Sequence, residues 1–333
     1  MRLHLWFPCL CLLWPTVVLS QSSLARYHVM QEFAIGGSGG WDYLSVDASA
    51  HRLYISHGNQ VEVRDSRNGD SIGVLTGLSG VHGIALVPAL QKGFISNGKN
   101  NSILVFHTIN LKAGASIPAG QHPDAIYYDP FSQRVFVGNG HSNSLTVIDP
   151  DKEMVVATIA LPGKPESMVA DTGKLYVNIE DKNSIVVIDT KTLQRSATWP
   201  LTRGHEPSGL AIDLKTKRLF AGCGNKLLCV VDATNGRNII QLPIGDECDG
   251  VVFDPARNTA FSANGEGNIT AVEELNPAKY HIAFTIPTQH SARTIALDPE
   301  THYLYLPAAV VKPVATGHPQ ALPGTFRVLV VGE

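Results

Sequence analysis

Short apolar runs, some alternating and some continuous, recur along nearly the whole chain, each closed by Asp, Asn, Gly or Pro. That is the period-2 signature of strands joined by tight turns. The clearest copy opens a strand at His122-Pro123-Asp124-Ala125-Ile126 that ends at Asp129-Pro130. It continues through Val135-Phe136-Val137, a turn at Gly140-His141-Ser142-Asn143, Leu145-Thr146-Val147-Ile148-Asp149, and a β-branched run from Met154 to Ile159. Four strands make one unit.

The unit repeats. Tyr54, Phe94, Phe136, Tyr176, Phe220, Phe261 and Tyr305 occupy the same local pattern and are separated by 40, 42, 40, 44, 41 and 44 residues. A period of this length with four short strands per copy predicts an all-β, seven-bladed β-propeller with four antiparallel strands in each blade. The last copy has strands at Thr294–Leu297, Tyr303–Leu306 and Phe326–Val331 but stops before a fourth, whereas an unmatched strand, about His28 to Ile35, precedes the first copy. Pairing the N-terminal strand into the last blade removes two open sheet edges and closes the ring.

Residues 1–20 fall outside this pattern: Arg2 precedes an apolar stretch from Leu5 to Leu19, interrupted by Pro8 and Pro15, and Val18-Leu19-Ser20 suits a signal peptidase. The expectation is a signal peptide over 1–20 and one propeller domain over 21–333, exported to the periplasm or the exterior, with no membrane span left after cleavage. Neither Cys9 nor Cys11 sits at the cleavage boundary, which argues against a lipoprotein anchor. Cleavage removes one arginine and no acid, taking the formal charge from −3 to −4, so no basic excess favours nucleic acid. Cys223, Cys229 and Cys248 remain, an odd number. Cys223 pairing with Cys248, Cys223 pairing with Cys229, and three packing thiols are all open readings.

In an up-and-down blade the turn entering the inner strand and the turn between the second and third strands lie on one face, around the channel. Counting back five residues from the end of each inner strand gives Asp42, His82, Asp124, Glu166, Ser208, Asp249 and Arg293. Carboxylates converging in this way repel, raise one another's pKa or capture a cation. The internal cations are Arg293 and Lys164; the external one is a divalent ion such as calcium, held by Asp42, His82, Asp124, Glu166 and Asp249. Trp41, His122 and Glu206 stand beside the ring and complete a candidate ligand-binding set with Asp42, His82, Asp124, Glu166, Asp249 and Arg293. The turns between strands two and three add His57, Asn97, Asn139, Cys223 and Asn264, with His141, Glu180 and Glu266 nearby; the asparagines are expected to serve turn geometry. A long insertion over 308–324, containing His318, is a candidate lid. Gly36-Gly37-Ser38-Gly39-Gly40 formally fits a nucleophile-elbow pattern but lacks the strand-turn-helix setting, and is expected to be a flexible connector.

The segments Gln133–Asp149 and Lys174–Asp189 resemble YVTN repeats, and residues 26–333 are similar to the bacterial YncE-like exported propellers. The resemblance implies the fold; propellers of this group and its neighbours include binding proteins, subunits of redox enzymes, lyases and lactonases, so it implies no one activity. Members proposed to bind single-stranded nucleic acid would need a basic, aromatic groove, which only Trp41, Lys99, Lys164 and Arg293 approach here. Three readings follow. The first is a non-enzymatic module that holds a cation or small polar ligand at the channel mouth and docks a partner protein. The second is a metal-assisted hydrolase or lyase, lactonase-like, with His82 or His122 as general base. The third is a structural interaction scaffold with a wet pore.

Overall fold

A computed structural model describes residues 27–312 and 320–333. Among them are seven four-stranded antiparallel sheets; in six the strands follow chain order from the channel outward, and in the seventh the outermost strand is the N-terminal one. Blade 3 consists of Pro123–Asp129, Arg134–Asn139, Ser144–Asp149 and Met154–Ala160. Its second and third strands lie between neighbouring sheets and are buried on both faces, which is why their sequences are nearly continuous apolar runs. The outer strand alternates exposed and covered positions, as a strand with one wet face should.

The periodic aromatics stand in the second strand of every blade, each 0–1% exposed. They fill the layer between blades: Tyr54 meets Phe106 with ring centroids 5.5 Å apart, and Phe220 stacks on Phe253 at 5.1 Å. Where the residue is tyrosine its hydroxyl can tie blades together; Tyr176 donates to the carbonyl of Ala233 at 2.8 Å and Tyr305 to that of Ser66 at 2.9 Å. Burying one such ring stabilises the fold by roughly 1.5–3 kcal/mol. The aspartates that end the inner strands cap the next turn. Asp129, for example, accepts the backbone N–H of Phe131 and of Ser132, each at 3.1 Å.

The ring closes through the N-terminal strand. His28–Ala34 pairs antiparallel with Arg327–Gly332, with Phe33 opposite Val328, and forms the outer strand of blade 7. Regular inner-strand pairing in that blade is confined to Ala296–Leu297, because the residues before it turn toward blades 1 and 6: Thr294 Oγ1 donates to the Asp42 carbonyl at 2.7 Å and Arg293 bonds Asp249. In the 308–324 insertion Val311–Lys312 pairs with Gln320–Ala321 as a hairpin base. His318 and the signal-peptide assignment lie outside the described residues. Among the described residues no helix is long and apolar enough to cross a membrane. Cys223, Cys229 and Cys248 are free and buried, with Cys223 and Cys229 Sγ atoms 3.9 Å apart, so the packing-thiol reading describes this state.

Candidate functional site at the channel mouth

Five of the seven inner strands are launched by a backbone device that aims the residue two positions later at the channel. Gly80, His122, Glu206, Glu247 and Ser291 take positive φ, a conformation in which the chain turns sharply. An asparagine from the preceding blade often holds the turning residue: Asn101 Oδ1 accepts the His122 N–H and Asn183 Oδ1 the Glu206 N–H, each at 2.9 Å. Two residues on stand His82, Asp124, Ser208, Asp249 and Arg293. The asparagines ending the second strands act differently from the turn role expected of them. They are buried, and two of them brace the incoming loop: Asn97 Oδ1 accepts Ser79 N–H at 2.6 Å and Asn139 Oδ1 accepts Gly120 N–H at 3.1 Å, whereas Asn264 donates within its own hairpin to Asn268 and Thr270.

The ring residues sort into three groups. His82 Nδ1 lies 2.7 Å from Asp42 Oδ2 and 3.6 Å from Asp124 Oδ1, and one ligand atom from each of these residues falls within 4.8 Å of the others. Glu166 is bound by Lys164 at 2.8 Å, and the same ammonium reaches Glu180 at 2.5 Å. Asp249 accepts from Arg293 Nε at 2.8 Å and from the Ser208 hydroxyl. Of the five residues expected to share a cation, the structure therefore brings together Asp42, His82 and Asp124. Glu166 and Asp249 are each engaged by a side-chain cation, which removes the reason for an ion to seek them. Arg293 also reaches the Trp41 carbonyl at 3.4 Å, linking blades 6, 7 and 1.

Burial and crowding set the proton affinities. Burial, then the charge of Asp42, pushes Asp124 up to about 7 against the pull of His82. Burial alone would lower His82, but its hydrogen bond to Asp42 and the charge of Asp124 outweigh it and raise the imidazole to about 8. Burial and the charge of Asp124 likewise raise Glu166 well above the carboxylate range, while Lys164 opposes them. His122 stands 4.9 Å from His82 and stacks on His141 at 4.3 Å between ring centroids. Burial and those two neighbouring imidazoles lower its proton affinity. Glu206 is exposed at the rim. His57 is 2% exposed and stacked on Phe326 at 4.1 Å.

These side chains line a cavity of about 1370 Å³ that also includes the glycine segment Gly37–Gly40 and the hairpin residues Val311 and Ala321. Below it the channel narrows to about 160 Å³. Tyr43 borders both spaces and packs across the channel on the apolar cluster of blades 3 and 4 that contains Ala125 and Met168. The ring count missed Tyr43, although a signal was present. The residue after the ring position is Gly83, Ala125, Ser167, Gly209, Gly250 or Thr294 in the other blades. Small residues are needed there because inner strands approach closely; a Cβ on Gly83 would meet the Asp124 carbonyl oxygen at 2.9 Å and one on Gly209 the Val251 nitrogen at 2.7 Å. Tyr43 breaks that rule, and burial together with the charges of Glu166 and Asp124 raises its phenol well above the ordinary value.

No family model matches the chain, and no curated protein matches it. Solved structures do. A structure of Kuenenia stuttgartiensis hydrazine synthase is 16% identical with a TM-score of 0.70, covering 81% of this chain and 92% of that one. Structures of U3-55K and of the RRP9 WD40 repeats are each 8% identical, with TM-scores of 0.76 and 0.77, covering 92% of this chain and 98% of theirs. At these identities the likeness is one of fold, a β-propeller, the architecture on which many interaction scaffolds are built.

Proposed function

We propose that this protein is an exported propeller that holds a divalent cation in the Asp42, His82 and Asp124 group and offers the mouth around it to a small polar ligand or a partner protein. The observation that carries this reading is the convergence of those three ligand atoms within 4.8 Å from three successive blades. Export rests on the apolar leader, and the YVTN-like repeats support membership of the exported YncE-like group. One imidazole nitrogen with two carboxylates suits a first-row ion such as zinc or manganese better than calcium, which takes six to eight oxygen ligands. The acids lining the mouth, Glu206, Asp246 and Glu247 among them, disfavour nucleic acid.

A second reading, a metal-assisted hydrolase or lyase of lactonase type, is favoured by the size of the space. A cavity of about 1370 Å³ is far larger than an ion needs, and the three side chains leave coordination positions for water or substrate. Elemental analysis of protein purified without chelator tests the shared premise. One divalent ion per chain that disappears in Asp42→Asn/Asp124→Asn is expected. No ion in the wild type, even after dialysis against zinc and manganese, would sink both readings and leave the interaction scaffold.

A further inference from the structure

The face opposite the mouth carries the turns between strands one and two and between strands three and four of each blade, because antiparallel strands alternate in direction. The inner strands of blades 3 to 6, Pro123–Asp129, Pro165–Asp171, Pro207–Asp213 and Cys248–Asp254, are each 7 residues long, so these turns end at one level. Among the described residues, the five most exposed large apolar side chains all stand at this end: Phe131 62%, Ile109 61%, Leu214 54%, Met154 50% and Leu275 47%. Cations surround three of them. Lys174, Lys191, Lys215, Arg237 and Lys279 are exposed on the turns of blades 4, 5 and 6. The acids of blades 4 and 5 at this end serve as turn caps instead of facing outward. Asp189 accepts the N–H of Lys191 at 3.0 Å, Asp213 that of Lys215 at 2.9 Å and Asp232 that of Thr234 at 2.9 Å, while Asp171 is held by Lys217 at 2.7 Å. The chain as a whole carries a formal charge of −3, but the acids that crowd the mouth are at the other end.

The patch is continuous across blades 3 to 6. Phe131 lies against Gly173, where a Cβ would stand 3.4 Å from its ring. The Gly173 carbonyl accepts the Thr190 N–H at 2.9 Å, and the Lys217 carbonyl accepts the Ala233 N–H at 3.0 Å, so the two turns of each blade touch. The Lys217–Asp171 bridge joins blade 5 to blade 4, and Arg218 Nε, donating to the Pro277 carbonyl at 3.0 Å, joins it to blade 6. Apolar tips set among cations on a level face match an anionic bilayer. Its headgroups draw the ammonium and guanidinium groups, and the tips enter the boundary with the acyl chains. The phosphates of a nucleic acid would engage the same cations but have no use for Leu214 and Leu275, which would stay in water. We infer that this face docks on anionic lipid headgroups and leaves the mouth turned to solvent. The docking face is independent of the Asp42, His82 and Asp124 group, which lies at the opposite end of the channel.

The test is sedimentation of the chain from residue 21, free of the apolar leader, with vesicles at about 50 mM salt. One set of vesicles is phosphatidylcholine carrying about one-third phosphatidylglycerol, and the other is phosphatidylcholine alone. Binding about tenfold tighter to the anionic set is expected, weakening as salt is raised. Lys191→Gln/Lys215→Gln should lower the affinity about tenfold, and Leu214→Ser several-fold. Lys182→Gln/Lys226→Gln removes the same charge from exposed positions on the mouth face and should leave binding unchanged. Equal sedimentation with both sets of vesicles, or with neither, would overturn the inference. So would unchanged binding in Lys191→Gln/Lys215→Gln, or an equal loss in the mouth-face variant, which would mean that net charge alone decides. Unchanged binding in Leu214→Ser would also overturn it, since the apolar tips would then remain in water. A short oligonucleotide that binds more tightly than the anionic vesicles, and loses affinity in Lys191→Gln/Lys215→Gln, would give the face to nucleic acid instead.

Discussion

Asp42 and His82 are forty residues apart, on adjacent blades, and meet at 2.7 Å between Oδ2 and Nδ1. Inner strands of neighbouring blades belong to different sheets, so this side-chain pair links blades that no backbone ladder joins. Its strength depends on a proton, and Asp124, 3.6 Å from the same nitrogen, shares that dependence.

Stability is therefore expected to decline as pH rises across the neutral range. His82 is raised from 6.5 to about 8, so the stability it contributes is complete below about 6.5 and lost as pH passes about 8. Asp124 is raised from 3.8 to about 7; its contribution, of the same sign, is complete below about 3.8 and lost as pH passes about 7. Urea melts from pH 5 to 8 should show a decline on the order of a few kcal/mol. Asp124→Asn, which stays uncharged, should flatten it and equal or exceed the wild type at pH 8. Parallel curves for the two proteins would contradict the assignment. Zinc should restore the wild type at pH 8, where the nitrogen and carboxylates are free to bind it, and should do little at pH 5.

Ring closure predicts an unequal pair of substitutions on one strand. Phe33 is 4% exposed and packs 6.4 Å, centroid to centroid, from Tyr305. Glu32 on the opposite face pairs with Arg327 at 2.8 Å but is half exposed. Phe33→Ala should cost about 3–5 kcal/mol, whereas Glu32→Gln should cost under about 1 kcal/mol. Denaturant melts would separate the two, and equal effects would show that the strand adds little to the closure.

The ring and its closure were legible because they rest on period and length: seven aromatics at one register, and one strand too few at one end and too many at the other. The ring of side chains was legible for the same reason, since counting back five residues finds the same cavity-lining position in every blade. The two internal counter-charges, Lys164 and Arg293, were legible too; which carboxylate each would take was not. Whether Glu166 is a ligand or an ion-pair partner depends on Lys164, two residues before it, curling back to 2.8 Å. The placement of His57 depends on Phe326, which comes from the far end of the chain. Pairings across closed rings are set by side-chain direction, and a one-dimensional pattern carries no information on which of two converging charges finds the other first.

Tyr43 offers a test of the channel itself. It stands where the other blades carry Gly, Ala, Ser or Thr, and it separates the large cavity from the narrow one beneath. Tyr43→Ser, the residue of blade 4, should join the two spaces and speed amide exchange along the inner strands Val81–Val87 and Pro123–Asp129. Tyr43→Phe keeps the ring and should leave exchange near the wild-type rate. Equal protection in both variants would mean that the channel is closed by something other than this ring.

Lys164 supplies the clearest contrast between an ion pair's strength and the cost of breaking it. Its ammonium serves Glu166 and Glu180, and the Glu166 side chain is only 8% exposed while that of Lys164 is 38% exposed. Removing the lysine leaves a nearly buried carboxylate beside Asp124 with no counter-charge. Breaking a fully buried pair costs about 3–5 kcal/mol, and the exposure of the ammonium discounts this to about 1–3 kcal/mol for Lys164→Met at pH 8. The penalty should shrink at pH 5. Glu166 is already pushed upward by burial and by Asp124, so without Lys164 it takes a proton more readily and the unpaired charge disappears. The double variant Lys164→Met/Glu166→Gln should recover most of the loss at pH 8, because it removes the charge instead of stranding it. A Lys164→Met penalty that is the same at pH 5 and pH 8, and is not relieved in the double variant, would show that the lysine acts through its aliphatic packing alone.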